Sequence, residues 1–500
     1  MTGYVGIVLD GPKMDEYMTT LQYLSKAILT PIGIRIDTQS SEPTVYYVDA
    51  NGNSFTPPDG FFNNHILWGG IDRVFYNRTT GKIESGINSA GTNKSLTGED
   101  GDVLVKTNTA KVRYRWVDDR YHEFIVSPLS IEFPGCYDHP AAVMRGGTLQ
   151  TKIYHSAYES SLLIDDTGVL KLQSVAGVQP MTGGAIKKLQ FTSGGTSQIT
   201  VDDLVLGDTS GAYGTVIGTY LSSGSWSGGD AAGYIYIKQP YGTFVADEPI
   251  IVSGVNCATA SGAATALSFN LTNAETYAAN KGSGFGALNY WHLVYLILLQ
   301  VIEAGTLNIP SVFGRGIVDL PTGTGFAGKE TGADDIDNRL DAWGTGTGSG
   351  ADGQTPIKWR YSENLYGNVN KNIIGLNVFT DGTYRLPKRD GTGALADIMP
   401  DGSYEEGTGL IPLNDDYIKS IQTETLGALA FIPKTLGGTS STYFCDEYHG
   451  PTVGNEHSAN MYGGLWKTSY AGGPFYLSNS SVAGQSTAAL GAHFEYYPPA

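Results

Sequence analysis

Cysteine is scarce in this chain: Cys136, Cys257 and Cys445 are the only three in 500 residues, odd in number and widely separated. They do not form a disulfide framework, and no Cys-x-x-Cys pair suggests zinc. Charge is scarce as well. Only 16% of residues are charged, and 31 Lys and Arg face 49 Asp and Glu, for a net charge of −18. No dense basic stretch exists, which argues against sequence-independent nucleic-acid binding through clustered Lys and Arg. Long apolar runs are missing too. The most apolar segment, Leu293 to Leu299, is far too short to cross a bilayer. The opening Met-Thr-Gly-Tyr-Val-Gly has no basic stretch followed by an apolar run, so secretion by signal peptide is not expected. A soluble chain made in a cytoplasm and released by a route other than a signal peptide fits these absences, and assembly into a virion is one such route.

Hydrophobic residues reach 41%, enough to fill cores, and 67 Gly and 31 Tyr accompany few long helical patterns. The reading is turn-rich and mainly β, with an α+β C-terminal part, and the length calls for several domains. Residues 1–30 carry a helical pattern. Met14, Tyr17, Leu21, Leu24 and Ile28 are spaced three and four apart, as in the seam of a short coiled coil or the buried stripe of an amphipathic helix. A homotrimer is the favoured oligomer for a fibre tip.

Residues 31–179 read as a β-rich domain. Strands are expected at Thr44–Val48, Asp102–Lys106, Lys111–Val117, His122–Val126 and Thr151–Tyr154, with a hairpin turn at Asn51-Gly52. Residues 180–268 turn to Gly, Ser, Thr and short β-branched runs, as expected of an inserted small β-barrel or sandwich. Residues 269–500 form the last part. Their one helical pattern, Ala287–Ala304, places Leu288, Trp291, Leu296, Leu299 and Ile302 on a broad apolar face, with Gly305 as its stop. Thr322 to Gly353 reads as a long loop.

Three segments carry a resemblance. Trp359-Arg360-Tyr361-Ser362-Glu363-Asn364-Leu365-Tyr366-Gly367-Asn368-Val369 comes first. Phe431-Ile432-Pro433-Lys434 then leads into Ser441–Asp446, and Gly463-Gly464-Leu465-Trp466, Ala471–Phe475 and Leu490–Phe494 close the chain. Together they resemble the C-type-lectin branch that includes formylglycine-generating enzymes and the variable proteins of diversity-generating retroelements. Upstream, Gly33–Asp37, Thr97–Val103, His139–Ala142 and Tyr290-Trp291 are similar to the first half of phage proteins of that kind. His493 stands where the family usually has Arg.

The resemblance implies a C-type-lectin-like fold and a variable region at about 431–499. It also implies a hypervariable receptor-binding protein at a viral tail-fibre tip, attaching to a host cell-surface protein or glycan and bound to other virion tail or fibre proteins. In such proteins a rigid scaffold lets surface positions vary, so function sits in exposed side chains. The candidate variable positions are Tyr448, His449, Asn455, His457, Ser458 and Asn460, then Lys467, Thr468, Ser469 and Tyr470. Ser478, Asn479, Ser480, Ser481, Gln485, Ser486 and Thr487 complete the set. Tyr offers large contact area at low entropic cost, and Ser and Asn offer adaptable hydrogen bonds, as in antibody paratopes. The scaffold positions are Trp359, Glu363, Asn364, Gly367, Asn368, Gly463, Gly464, Trp466, Phe475 and Gly491.

No catalytic residue, metal or cofactor is expected. Cys445, Asp446, His449, Glu456 and His457 match no zinc spacing. The Glu-Pro-Asn, Gln-Pro-Asp and Trp-Asn-Asp motifs of calcium-dependent sugar-binding lectins are missing. Asp334-Asp335 and Asp415-Asp416 read as solvated loop charge. The paired cysteines of the formylglycine-generating branch are also missing, since the C-terminal domain holds only Cys445. Two other readings stay open: a cell-surface adhesin of a cellular organism, and a phage polysaccharide depolymerase whose carboxylates would meet only in space.

Overall fold

The computed structural model describes residues 29–86, 92–320, 345, 352–392, 403–452 and 458–499. The expected seam from Met14 to Ile28 lies outside the described residues, as does nearly all of the expected loop from Thr322 to Gly353. Strand accounts for 39% of residues and helix for 10%, so the chain is mainly β.

The one long helix, Tyr290–Ala304, explains most of the architecture. Asn289 caps it by accepting from the His292 N–H at 2.9 Å, and Gly305 ends it in the left-handed conformation, φ 67°. Every residue from Tyr290 to Ile302 is buried. A helix apolar on all sides must be enclosed by other elements. Its polar ring atoms, and those packed on it, reach carbonyls at separate points of the fold. Trp291 Nε1 donates to Pro387 O at 2.8 Å, Tyr295 Oη to Asn108 O at 2.6 Å, and Trp68 Nε1 to Leu299 O at 2.9 Å.

Three sheets surround it. A five-stranded sheet orders Val45–Val48, Ile32–Asp37, Tyr121–Pro128, Ala110–Val117 and Tyr137–Asp138. A six-stranded sheet orders Phe285–Ala287, Phe494–Tyr496, Lys152–Ser156, Asp102–Asn108, Asp72–Asn77 and Lys82–Ser85. The third, with nine strands, is built from residues 370–491 and holds Asn370–Val378, Ser458–Tyr462, Leu477–Ser481 and Glu447–His449 side by side. The strands expected from period-two alternation are present with ends shifted by a few residues, and the Asn51-Gly52 turn closes with Asp49 N donating to Asn53 O at 2.9 Å.

Residues from 31–179 and from 269–500 contribute to one continuous core, from Ile32 to Tyr497, because sheets of both segments pack against the shared helix. The segments expected as two domains are therefore joined through their interior. The chain between them builds a separate element. Strands from Ile186 to Ala266 form a seven-stranded sheet, and Ile186–Gly194 pairs with Ala231–Tyr241, which closes six of them into a ring. This ring has its own core of Leu189, Phe191, Val205, Val216, Ile235, Ile237 and Ile250. It meets the body through a smaller cluster that includes Leu162, Tyr236, Phe269 and Phe494.

Candidate functional site

The candidate variable residues fall largely on three adjacent short strands. Ser458–Tyr462 runs antiparallel to Leu477–Ser481, with Tyr462 opposite Leu477 and Ala459 opposite Ser481. Glu447–His449 lies parallel on the other side, with Tyr448 opposite Leu477 and His449 opposite Ser478. Tyr448, His449, Ser458, Asn460, Ser478, Asn479, Ser480 and Ser481, dispersed in sequence, are thus brought together.

Their exposure differs from the expectation. Tyr448, Asn460, Ser478, Asn479 and Ser481 are buried in the strands rather than displayed on loops. The reason is their hydrogen bonding and packing. Asn479 Nδ2 donates to Tyr448 Oη at 3.1 Å, Asn460 Nδ2 donates to Leu376 O, and Ser481 Oγ meets Met461 Sδ at 3.7 Å. Ser480 and Lys467 are exposed, and His449, Thr468 and Ser469 are half-buried. The register also divides the set. The connection carrying Lys467, Thr468, Ser469 and Tyr470 joins the Tyr462 end of the strip, while Ser480 and Ser481 sit at the other, where Thr452 Oγ1 donates to Ser480 O at 2.9 Å. A five-residue strand separates these ends by roughly 13 Å.

Gln485, Ser486 and Thr487 belong to neither end. Phe269 N donates to Ser486 Oγ at 2.8 Å and Gly183 N donates to Thr487 O at 2.9 Å, so this stretch fastens the root of the inserted ring. That role fixes Ser486 and Thr487 in a joint rather than offering them to a ligand. Asn455 and His457 lie outside the described residues, and only the backbone of Ser458 and Tyr470 is described.

Beside the Tyr462 end of the strip, where Gly367 N donates to Gly463 O at 2.8 Å, the segment Trp359–Val369 forms a buried polar floor. Asn364, Gly367 and Asn368 all adopt positive φ, at 49°, 77° and 65°. A Cβ on Gly367 would stand 2.9 Å from Ile317 N, so the tight path needs glycine there. The carboxylate of Glu159 anchors this path. It accepts from the amides of Asn368 and Asn364 and pairs with Lys371 Nζ at 3.1 Å, all with side chains fully or almost fully buried. Trp359 donates to Glu303 at 2.7 Å, and Tyr366 Oη donates to Gly314 O at 2.7 Å. Glu363 is buried 4.0 Å from Lys358.

Of the remaining scaffold positions, Gly463 abuts this floor at Tyr366 and Gly491 at Val369. Gly463 and Gly464 turn at φ 86° and 77°, Gly491 pairs with Lys371, and Phe475 packs edge-on against Phe431 and Phe444. Trp466 is half-buried, and its backbone bonds Leu320 and Asn368. His493 is buried against Ser156 Oγ at 2.8 Å. Burial and the Lys371 charge lower its pKa to about 3, so it is a neutral ring at physiological pH and does not supply the positive charge an Arg would bring there.

Sequence reasoning missed Glu159 and Lys371, which no local motif marks, and the burial of Asp446. Asp446 accepts from Phe475 N at 2.7 Å, and burial pushes its carboxyl well above the usual range. Burial, with Asp446 alongside, also raises the Cys445 thiol to about 12, which leaves it protonated and a poor nucleophile. His449 lies 3.1 Å from Asp415 and 3.4 Å from Glu447. No three His, Cys, Asp or Glu side chains converge as a metal site among the described residues. No protein-family model matches the chain, and no curated protein matches it.

Proposed function

We propose that the chain is a receptor-binding protein, diversified by a retroelement, that attaches a virus to a host surface ligand through its C-terminal strip. The observation that carries this reading is the gathering of eight candidate positions onto three neighbouring strands beside a buried, hydrogen-bonded floor. Ser480, Lys467 and His449 supply the accessible chemistry of a paratope: short polar groups, a cation and a ring. A C-type-lectin-like fold for residues 269–500 is part of the proposal. The antiparallel pairing of Phe285–Ala287 with Phe494–Tyr496, which brings the ends of this segment together, supports it.

The test is the genomic DNA downstream of the coding sequence. A near-copy of the segment encoding residues 431–499, differing mainly at template adenines and lying beside a reverse-transcriptase gene, is the expected finding. Its differences should fall at exposed positions such as Lys467 and Ser480. Absence of any such repeat would overturn diversification by a retroelement. Attachment is tested separately by binding of the labelled full chain to cells, where Lys467→Ala with Ser480→Tyr should change the cells bound. Unchanged binding would remove the strip as the contact surface.

A further inference from the structure

A concave surface lies at the end of the long helix, lined by none of the candidate variable residues. It is a cleft of about 490 Å³, within the span of roughly 300–1,000 Å³ usual for small-molecule sites. Its walls are Tyr47, Pro57, Phe62 and Phe313, and its polar groups are Asn63, Glu303, Thr56 and the Tyr47 hydroxyl. Tyr47 and Phe62 stand with ring centroids 6.3 Å apart at 42°. Tyr47 can reach this place because Gly305, the left-handed helix stop, has no side chain: a Cβ there would lie 2.7 Å from the Tyr47 hydroxyl.

The polar groups are held in fixed orientations. Glu303 accepts from Trp359 Nε1 at 2.7 Å and from Arg360 Nε at 3.2 Å, and Arg360 is itself buried. The Glu303 charge is therefore balanced from beneath, and the cleft does not call for a cation. Asn63 Oδ1 accepts from Arg360 Nη2 at 2.7 Å, which turns its amide donors the other way. Among the described residues those donors have no partner. Burial, with the Glu303 charge adding to it, raises the Tyr47 phenol to about 12, so it keeps its proton and can donate.

Rings on the walls, a fixed acceptor, a free amide donor and no net charge describe one ligand chemistry. From this we infer that the cleft binds a neutral sugar unit, its C–H face against Phe62 and Tyr47 and its hydroxyls donating to Glu303 and accepting from Asn63. Fixed aromatic and polar groups reduce the ordering cost that weakens small-ligand binding. The site is separate from the C-terminal strip and stands whether or not that strip varies.

The experiment is saturation-transfer NMR on the full chain with the methyl glycosides of glucose, galactose, mannose and N-acetylglucosamine at millimolar concentration. At least one should show transfer, strongest at the protons of one ring face. Phe62→Ala should weaken it by roughly tenfold. Thr56→Trp, at an exposed rim position of the cleft, should block it without disturbing the core. Lys467→Ala with Ser480→Tyr should leave it unchanged. If Phe62→Ala fails to fold by circular dichroism, Thr56→Trp decides alone. No transfer to any of the four glycosides, or transfer that survives Thr56→Trp, would overturn the inference.

Discussion

Replacing Lys371 with Met should destabilise the protein far more than replacing Lys371 and Glu159 together. Lys371 and Glu159 are buried with charged atoms 3.1 Å apart. Burial pushes the Glu159 carboxyl up and the Lys371 ammonium down, and their mutual attraction offsets part of each shift. Removing the lysine alone leaves a carboxylate with only the Asn364 and Asn368 amides and the Val369 N–H, and an uncompensated buried charge costs about 3–5 kcal/mol. The double change Glu159→Gln with Lys371→Met removes both charges and keeps an amide in contact with the Asn pair. It should cost no more than about 2 kcal/mol, since exchanging a whole buried pair for neutral groups is often close to neutral. The cycle completed by Glu159→Gln should then give a coupling of at least about 1 kcal/mol, within the range for residues in direct contact. Urea unfolding followed by tryptophan fluorescence reads all four proteins. A Lys371→Met cost below about 1 kcal/mol, or a double variant as unstable as the sum of the singles, would refute the view that this pair anchors the floor.

Asp446 makes a prediction in pH. Its folded pKa is raised, so its favourable contribution is full below the unfolded value near 4 and is lost as pH rises towards the folded one. Asp446→Asn should therefore gain thermal stability relative to the parent as pH climbs from about 4 to 8, and a difference independent of pH in scanning calorimetry would count against this. Gly305→Ala should lower stability by about 1 kcal/mol or more, because φ is 67° and the new methyl meets the Tyr47 hydroxyl; an unchanged urea midpoint would contradict it. Asn479→Ala should cost about 1–2 kcal/mol through loss of its bond to Tyr448, while Ser480→Ala should stay within about 0.5 kcal/mol. Equal losses at the two neighbours would show that the strip is not layered as described.

Elements with strong local signals were legible. The helix read from the spacing of Leu288, Trp291, Leu296, Leu299 and Ile302 runs Tyr290–Ala304 and stops at Gly305. The alternation at Lys111–Val117 lies within the strand Ala110–Val117. What the sequence does not display is which segments share a core. The apolar helix covers all its faces, and covering them takes sheets from both sides of the inserted ring; composition gives no sign of that closure. Glu159 and Lys371 were equally hidden. They are separated by more than two hundred residues, and each alone reads as a surface charge.

The candidate strip was legible as a group and illegible in depth, and the difference has a physical basis. Composition identifies Ser, Asn and Tyr but not the side of a strand on which each points, and in a strand successive side chains point to opposite faces. Asn479 and Ser480 are adjacent, yet one is fully buried against Tyr448 and the other is exposed. A position such as Asn479, whose neighbours are packed and hydrogen-bonded, tolerates little change of size or polarity. Ser480 and Lys467 face solvent and tolerate almost any residue. If retroelement diversification acts on this chain, it must respect that division, so buried candidates should vary only together with their partners. Tyr448 and Asn479 would then change as a pair, and independent variation at both would show that the strip opens in a way its hydrogen bonds do not suggest.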